Sequence, residues 1–343
     1  MPNIMLSYRC NLQCSYCFAN EFVNSENIDI TTNNFNKALN FLTTSGNSNI
    51  GLIGGEPTIH PQFGEFLEIL INNAQVKKVT IYTNGLILAK YIKHITNPKF
   101  FVLINCNSPL EIGQEKYNVF MDQVGEIITI PDAKKRVTFG INLFSNNLDY
   151  NYIIELLKKY DIHRVRMSVT VPNRKTEKAL PSLEYLNARK RYILGFIKSC
   201  AENLILPYYD CNTIPLCIWS QEEMREIQEI VDAFGVKRTN LVGYHSYCEP
   251  VIDVLPDLNA VRCFGMSDFL KVPIDDFDNL DELRRYFLNM IDSYAYHIPS
   301  SGNCIDCKIR KIQQCMGGCL AFLQDALNNC SEVFNSPIKK SDL

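Results

Sequence analysis

The chain has 343 residues, 46% of them hydrophobic and 21% charged, so it can bury a sizeable core and is not intrinsically disordered. Its formal net charge of -3 gives no electrostatic reason to expect a nucleic-acid partner. No apolar run approaches the length of a membrane span, and no signal-type apolar core follows the N-terminus, so we expect a cytoplasmic protein without membrane attachment. The length favours one large domain followed by a smaller one.

Short apolar runs alternate with amphipathic stretches through the first two thirds of the chain. The predicted strands are 3–8, 49–53, 78–83, 100–105, 136–144 and 164–171. The predicted helices are 32–42, 63–72, 86–95, 150–160 and 183–201. Strands that alternate with helices predict parallel βαβ units, and parallel barrels carry their chemistry at the carboxyl ends of their strands.

The first predicted strand leads into a run with three cysteines, Cys10-Asn-Leu-Gln-Cys14-Ser-Tyr-Cys17. Three is an odd number for disulfide pairing, and cytosolic disulfides are seldom structural. Thiolates this close together suit a soft metal centre, either zinc or an iron–sulfur cluster. Zinc sites usually combine two C-x2-C pairs, whereas this C-x3-C-x2-C triplet stands alone. Three ligands would leave one iron of a four-iron cluster without a protein partner.

Two further strand ends carry candidate site residues. The second predicted strand ends in Gly54-Gly55-Glu56-Pro57, where paired glycines let a ligand approach the backbone closely. The third ends in Thr83-Asn84-Gly85, for which an ordinary Asn-Gly turn is the alternative. If the strands are parallel, these residues share one edge of the sheet with the cysteine triplet.

The triplet, with the aromatic Tyr16 before its last cysteine, resembles the signature of the radical S-adenosylmethionine (radical SAM) enzymes, and Gly54-Gly55-Glu56-Pro57 resembles their GGEP motif. The resemblance implies an α/β fold, a partial (β/α)6 TIM-like barrel. It also implies a [4Fe-4S] cluster held by Cys10, Cys14 and Cys17, with SAM at the open iron. In that family, reductive cleavage of SAM gives a 5′-deoxyadenosyl radical that takes a hydrogen atom from the substrate.

The resemblance further implies a SAM-binding role for the strand ends. In relatives the GGEP motif contacts the amino group of SAM through backbone carbonyls and the acidic side chain. The predicted cofactor-binding residues are Tyr16, Gly54, Gly55, Glu56, Thr83, Asn84, Asn142, Arg166 and Ser168. A buried Asn142 needs hydrogen-bond partners such as a ribose hydroxyl, and Arg166 and Ser168 share a strand face from which they could bind carboxylates. Packing in the core or rim is the alternative for these three.

Cys106 ends the fourth predicted strand, apart from the other cysteines. It is a candidate catalytic residue, because some epimerising relatives use a cysteine to donate a hydrogen atom to a substrate radical. A plain buried cysteine is the alternative.

Ten of the fourteen cysteines lie from Cys200 onward, where the βα rhythm fades and a helix is predicted at 221–233. Pro256-Asp257 and Asn259 predict a β-hairpin turn that would bring Cys248 and Cys263 together. The cysteines that follow are Cys304, Cys307, Cys315, Cys319 and Cys330. One or two zinc sites with four thiolate ligands are an alternative for this region.

The order of these cysteines resembles the SPASM extension of radical SAM enzymes, which implies two auxiliary [4Fe-4S] clusters. The outer cluster would be held by Cys304, Cys307, Cys315 and Cys330, and the inner one by Cys248, Cys263 and Cys319. For the fourth inner ligand we consider Cys217, Cys211 and His245, or a site open to substrate. Leu258 stands where the family usually has a hairpin glycine, so Asn259 is expected to supply the positive φ.

We therefore divide the chain into a radical SAM partial barrel (1–205), a bridging segment (206–247) and a cysteine-rich SPASM domain (248–343). SPASM relatives mostly modify peptides, so the resemblance implies an oxidoreductase acting on a ribosomally made natural product or a protein side chain. A flavodoxin or ferredoxin would supply electrons. Because the sequence starts directly at the first strand, a separate leader-recognition protein is a candidate partner. A small-molecule metabolite as substrate, or a non-enzymatic iron–sulfur or zinc protein, are the alternatives.

Overall fold

The computed structural model describes residues 1–17, 19, 23–24, 28–171, 181–209, 211, 214–235, 241, 248–267 and 269–328. The strands in this part of the chain are β1 (Asn3–Met5), β2 (Asn49–Ile53), β3 (Lys78–Thr83), β4 (Phe100–Asn105), β5 (Val137–Leu143), β6 (Arg164–Val169), β7 (Leu206–Tyr209), β8 (Asp253–Val254), β9 (Asn259–Val261) and β10 (Val272–Pro273). They form one sheet in the order β10-β9-β8-β1-β2-β3-β4-β5-β6-β7.

The α-helices lie mainly between these strands. They are α1 (Thr32–Thr43), α2 (Phe63–Asn72), α3 (Ile92–Ile95), α4 (Pro109–Ile112), α5 (Gln114–Ile127), α6 (Ala133–Arg136), α7 (Asn151–Lys159), α8 (Ser182–Glu202), α9 (Gln221–Ala233), α10 (Leu280–Phe287), α11 (Ser293–Ala295), α12 (Lys308–Lys311) and α13 (Gln324–Asn328). A π-helical turn, Leu288–Asp292, joins α10 to α11. No helix in the described part of the chain is both long and apolar enough to cross a membrane.

The predicted fold class is confirmed. Strands β1 to β7 pair in parallel, and α1, α2, α7 and α8 follow the order that the apolar periodicity predicts. The sheet is an open partial barrel, because β7 forms one edge and the described residues contain no strand that pairs across to close it. All strand ends that carry predicted site residues therefore point to one edge of the sheet.

Three local predictions differ from the structure. The strand Leu206–Tyr209 was not predicted, because it is short, contains Pro207 and lies at the edge of the sheet, where proline is tolerated. Helix α5 was also missed, although Phe120, Val124 and Ile127 bury one side of it. The helix predicted at 86–95 is a 3-10 turn, Leu88–Tyr91, followed by the short α3.

The C-terminal hairpin extends the barrel sheet instead of standing apart from it. Strand β8 pairs in parallel with β1, and β8, β9 and β10 are antiparallel, as the predicted hairpin requires. The expectation for its turn was wrong: Leu258 itself has φ +68°. Asn259 begins β9, and its carbonyl accepts from the Leu255 amide at 2.7 Å, so it is held in the extended pairing conformation and the preceding residue takes the left-handed one.

Candidate active site

The cysteine loop after β1 is packed directly against the glycines after β2. The Gly55 amide donates to the Ser7 carbonyl at 2.8 Å, and the Glu56 amide donates to the Arg9 carbonyl at 2.8 Å. A Cβ atom on Gly55 would stand 2.3 Å from the Arg9 carbonyl oxygen, and one on Gly54 would stand 2.7 Å from that of Ser7. These glycines are therefore required by the close approach of the cysteine loop, in addition to any ligand.

A half-buried ion pair fixes the entry to this loop. Arg9 donates from Nε and Nη2 to the two carboxylate oxygens of Asp29, at 3.0 and 2.6 Å. Ser7 Oγ donates to the same carboxylate at 2.6 Å, and the isolated bridge between Ser7 and Asp29 adds a backbone connection. Arg9 and Asp29 have no recognisable motif around them in the sequence, so neither was predicted as a site residue.

Glu56 joins the ends of β2 and β3. Its side chain is only 1% exposed. One carboxylate oxygen accepts from the Thr58 amide and hydroxyl and from the Thr83 hydroxyl, at 3.1, 2.6 and 2.7 Å, and the other accepts from the Asn84 amide at 2.7 Å. Burial raises the pKa of Glu56, and these donors oppose the rise. The carboxylate is thus engaged within the protein, and its contact with SAM stays a prediction.

Asn84 links the third strand end to the cysteine loop. Its side-chain amide donates to the side-chain oxygen of Asn11 at 2.7 Å, between Cys10 and Cys14 in the chain. Gly85 follows with φ +80°, as the Asn-Gly turn predicts. Asn84 and Gly85 therefore form the Asn-Gly turn, and Asn84 also lies beside the cysteine loop.

Cys10, Cys14 and Cys17 are partly buried and lie close enough for their charges to interact. Burial raises the pKa of Cys10 and of Cys14 to about 11, and the neighbouring thiols add to the rise. A metal cation bound between the three thiols would lower these pKa values again, because metal binding favours the thiolate. Among the described residues, no three His, Cys, Asp or Glu side chains are already arranged to hold a single metal ion. The thiols of a four-iron cluster bind different irons and so need not converge on one point.

Tyr16 covers the triplet from the side of β4 and β5. Its ring stacks on Phe144 with 4.5 Å between ring centroids, and its hydroxyl donates to the side-chain oxygen of Asn107 at 2.5 Å. Cys14 Sγ lies 3.7 Å from the same oxygen. Asn107 was missed in the sequence, although its place directly after a parallel strand is a signal that could have found it.

Asn142, Arg166 and Ser168 form one hydrogen-bonded group on β5 and β6. Ser168 Oγ donates to the Asn142 side-chain oxygen at 2.7 Å, and Arg166 Nη1 lies 3.2 Å from both. A Cβ atom on Gly140, the register partner of Arg166, would lie 3.1 Å from the Arg166 Cδ atom, so the glycine makes room for the arginine. Arg166 and Ser168 share a face of β6 as predicted, Asn142 joins them from β5, and the role of the three in binding SAM stays a prediction.

Cys106 is buried at the end of β4. Burial raises its pKa to about 12, and its thiol donates to the Ile104 carbonyl at 3.6 Å. The Tyr152 hydroxyl donates to the Cys106 carbonyl at 2.9 Å. The residue is held as a neutral thiol, which keeps its hydrogen atom, and its role as a hydrogen donor stays a prediction.

The eight cysteines between residues 206 and 328 that the structure describes fall into two groups by their mutual charge interactions. Cys319 and Cys263 interact with each other and with Cys211 and Cys248, and we call these four the inner group. Cys217 interacts with Cys304, Cys307 and Cys315, and we call these four the outer group. Burial is the first cause of the raised pKa of Cys217, Cys263 and Cys319. Cys217, considered above for the inner site, thus lies with the outer cysteines, and Cys211 lies with the inner ones.

Gly317 shapes the loop around the outer group. It has φ +80°, and its amide donates to Cys315 Sγ at 3.2 Å. A Cβ atom here would stand 1.8 Å from Ser300 Oγ and 3.4 Å from Cys304 Sγ. Gly317 therefore lets the chain fold closely over the thiols of Cys304 and Cys315. Cys330 and His245 lie outside the described residues.

Two protein-family models match parts of the chain. Residues 4–122 match the family model of the "Radical SAM superfamily". A second model, "Type I restriction and modification enzyme - subunit R C terminal", matches residues 110–248. Strands β5, β6 and β7 lie within this second range and continue the parallel sheet of the first, so both ranges contribute to one barrel.

Curated relatives and solved structures cover more of the chain. A "Probable GTP 3′,8-cyclase" of Methanococcus maripaludis (strain C5) is 20% identical over 302 residues, 84% of this chain and 93% of the relative. A GTP 3′,8-cyclase of Vibrio cholerae serotype O1 is 30% identical over 86 residues, 24% of this chain and 26% of the relative. The crystal structure of Streptococcus suis SuiB has a TM-score of 0.61 at 17% identity, covering 94% of this chain and 73% of SuiB. SuiB bound to its precursor peptide SuiA has a TM-score of 0.58 at 16% identity, covering 94% and 72%.

Proposed function

We propose that this chain, whose residues 4–122 form a radical SAM domain, cleaves S-adenosylmethionine reductively and abstracts a hydrogen atom from a peptide. One observation carries the proposal: the cysteine loop and Gly54-Gly55-Glu56 are hydrogen-bonded to each other at the carboxyl ends of β1 and β2. A non-enzymatic iron–sulfur protein would have no use for a SAM site beside its cluster. The radical SAM family implies a [4Fe-4S] cluster and SAM, and the three partly buried thiols are a donor set that fits such a cluster.

The residues around the triplet have distinct tasks in this proposal. A [4Fe-4S] cluster held by Cys10, Cys14 and Cys17 would supply an iron open to SAM and the electron that cleaves it. The carbonyls of Gly54 and Gly55 would accept from the amino group of SAM. The Asn142, Arg166 and Ser168 group would bind its ribose or its carboxylate, or a substrate carboxylate. Tyr16 and Phe144, stacked over the triplet, would limit the access of water.

The C-terminal cysteines would hold two auxiliary [4Fe-4S] clusters. The inner group (Cys211, Cys248, Cys263 and Cys319) has four thiols, the number of protein ligands that a closed [4Fe-4S] cluster needs. The outer group also has four, so Cys217 and Cys330 are both candidates for its last position. We place the end of the barrel domain just after residue 205, where β7 completes the sheet, and the start of the cysteine-rich domain at about residue 248.

A peptide is the substrate class that we favour. The likeness in fold to SuiB extends over 94% of this chain, so it includes the C-terminal cysteine region as well as the barrel. SuiB is crystallised with a precursor peptide, which supports a peptide here by analogy in fold. A separate leader-recognition protein and a flavodoxin or ferredoxin reductant belong to this proposal.

A nucleotide is the second candidate, because curated relatives that match 84% of the chain are named GTP 3′,8-cyclase. The test is anaerobic reconstitution with iron and sulfide, followed by SAM, dithionite and either deuterated GTP or deuterated forms of any short peptide encoded beside the gene. We expect peptide-dependent transfer of deuterium into 5′-deoxyadenosine, with a change in peptide mass. Transfer of deuterium from GTP, without transfer from a peptide, would show that the substrate is a nucleotide and not a peptide. Zinc without iron, and no 5′-deoxyadenosine, would refute an enzyme of this class.

A further inference from the structure

The largest fully buried side chain in the described residues is a cation, Arg262, which lies next to Cys263 at the end of β9. Its side chain is 0% exposed. A guanidinium that is removed from water needs acidic or hydrogen-bonding partners, because desolvation of an isolated ion costs several kcal/mol or more. The groups around Arg262 therefore indicate what this position is built for.

Asp292 is the first of these partners. Arg262 Nε and Nη2 donate to its two carboxylate oxygens at 2.5 and 2.7 Å, a bidentate pair between side chains that are 0% and 4% exposed. Asp292 ends the π-helical turn Leu288–Asp292, and such turns inside helices occur frequently at functional sites. This pair joins the hairpin to the helix behind it.

The Arg262 guanidinium also forms hydrogen bonds with Cys248. Nη2 also donates to the Cys248 carbonyl at 2.6 Å, and Nη1 donates to Cys248 Sγ at 3.4 Å. A neutral thiol is a weak acceptor, whereas a metal-bound thiolate carries negative charge and accepts strongly from a cation. The placement of Nη1 is therefore most favourable when Cys248 is a thiolate ligand.

We propose that Arg262, held by Asp292, tunes the reduction potential of the inner auxiliary cluster by donating a charged hydrogen bond to Cys248. Reduction adds negative charge to a cluster, so a cation and a hydrogen bond at a ligand sulfur stabilise the reduced form and raise the potential. Arg262 is a positioning residue in this role, since it acts through Cys248. The inference rests on the proposed assignment of Cys248 to the inner cluster.

The test is a redox titration followed by electron paramagnetic resonance. The full chain carries Cys10→Ala, Cys14→Ala and Cys17→Ala, so that only the auxiliary clusters give signals. The variant adds Arg262→Gln and Asp292→Asn, which remove the ion pair as a unit and leave no uncompensated buried charge. We expect one of the two signals to shift to lower potential by about 59 mV, a tenfold change in the ratio of oxidised to reduced cluster for one electron.

Asp292→Asn alone is the second variant, and it is expected to move the same signal the opposite way, because it removes a negative charge and retains Arg262. The matched control is Arg136→Gln. Arg136 is also buried and donates to the carbonyls of Ile95 and Asn97 at 2.9 and 2.7 Å, on the barrel. Its substitution is expected to lower stability and to leave both potentials unchanged.

The other outcomes distinguish failure of the inferred role of Arg262 from failure of the proposed auxiliary clusters. Unchanged potentials in a variant that keeps its inner-cluster iron overturn the inference. Loss of that iron in both Arg262 and Asp292 variants, with retention in Arg136→Gln, shows that the pair only builds the site, and this also overturns the tuning. Absence of auxiliary iron before any Arg262 substitution contradicts the proposed auxiliary clusters themselves.

Discussion

The barrel mouth and the C-terminal cysteine region both gather thiols, but they hold them in different ways. In the barrel, the cysteine loop is hydrogen-bonded to the neighbouring strand end, at the edge of the parallel sheet formed by β1 to β7. In the C-terminal region, strands β8 to β10 have only two or three residues each, and the helices after α11 have four or five. The barrel site is therefore positioned by the fold, whereas we expect the second region to depend on what its thiols bind.

The largest effect is expected where the fold positions the loop. In Gly55→Ala, the new Cβ atom would meet the Arg9 carbonyl oxygen at 2.3 Å and must displace the cysteine loop. We expect loss of the iron bound by Cys10, Cys14 and Cys17 and loss of 5′-deoxyadenosine formation, with the auxiliary iron retained. Iron analysis and chromatography of the SAM products measure both.

Gly64→Ala is the control for this substitution. Gly64 lies in α2, and a Cβ atom there would be 3.7 Å from the Tyr91 ring, an ordinary contact. Alanine is favoured over glycine inside helices by about 0.5–1 kcal/mol, and Gly64 lies in the first turn of α2, so this variant should be active and no less stable. Full activity in Gly55→Ala would show that the loop does not need its present position.

The second-largest effect is expected on removal of iron, which should affect the C-terminal cysteine region more than the barrel. After chelation we expect fast amide hydrogen exchange in β8, β9 and the segment from Gly302 to Leu323, because these elements are short and surround the two groups of thiols. Strands β2 to β5, buried in the barrel sheet, should remain protected. Equal protection of both regions in the metal-free protein would break the comparison.

The smallest effect is expected for one hydrogen bond beneath the barrel site. Thr83→Val removes the donor to Glu56 at 2.7 Å and the acceptor of the Gly85 amide at 3.0 Å. The free energy of unfolding should fall by about 1–3 kcal/mol, the usual cost of buried polar groups that lose their partners. Thr80→Val, on the other face of β3, should change it by less than about 0.5 kcal/mol. Denaturant titration of both variants measures the difference, and equal values would remove Glu56 from the set of groups that join the strand ends.

Much of the barrel could be predicted because its signals are local. Strands β2, β3 and β4 have the predicted bounds, since each is a short run rich in apolar or β-branched residues. The motifs at their ends then meet because parallel strands present their carboxyl ends at one edge. Strand β7 carried no such signal, because Pro207 interrupts its pattern.

The long-range contacts could not be predicted in this way. The Arg262 to Asp292 pair, the Tyr16 to Asn107 hydrogen bond and the placement of Cys211 and Cys217 in different groups join residues that are far apart in the chain. Their partners are set by tertiary packing, which no spacing rule encodes. The turn residue Leu258 shows the same limit, since β9 pairing required Asn259 to be extended.

The most direct test of the central claim is the formation of 5′-deoxyadenosine by reconstituted protein with and without Cys14→Ala. We predict that the unaltered chain with SAM and dithionite forms 5′-deoxyadenosine. The Cys14→Ala variant should form none while it keeps about two thirds of the iron, since two of three four-iron clusters remain. Undiminished 5′-deoxyadenosine formation by Cys14→Ala would contradict the account.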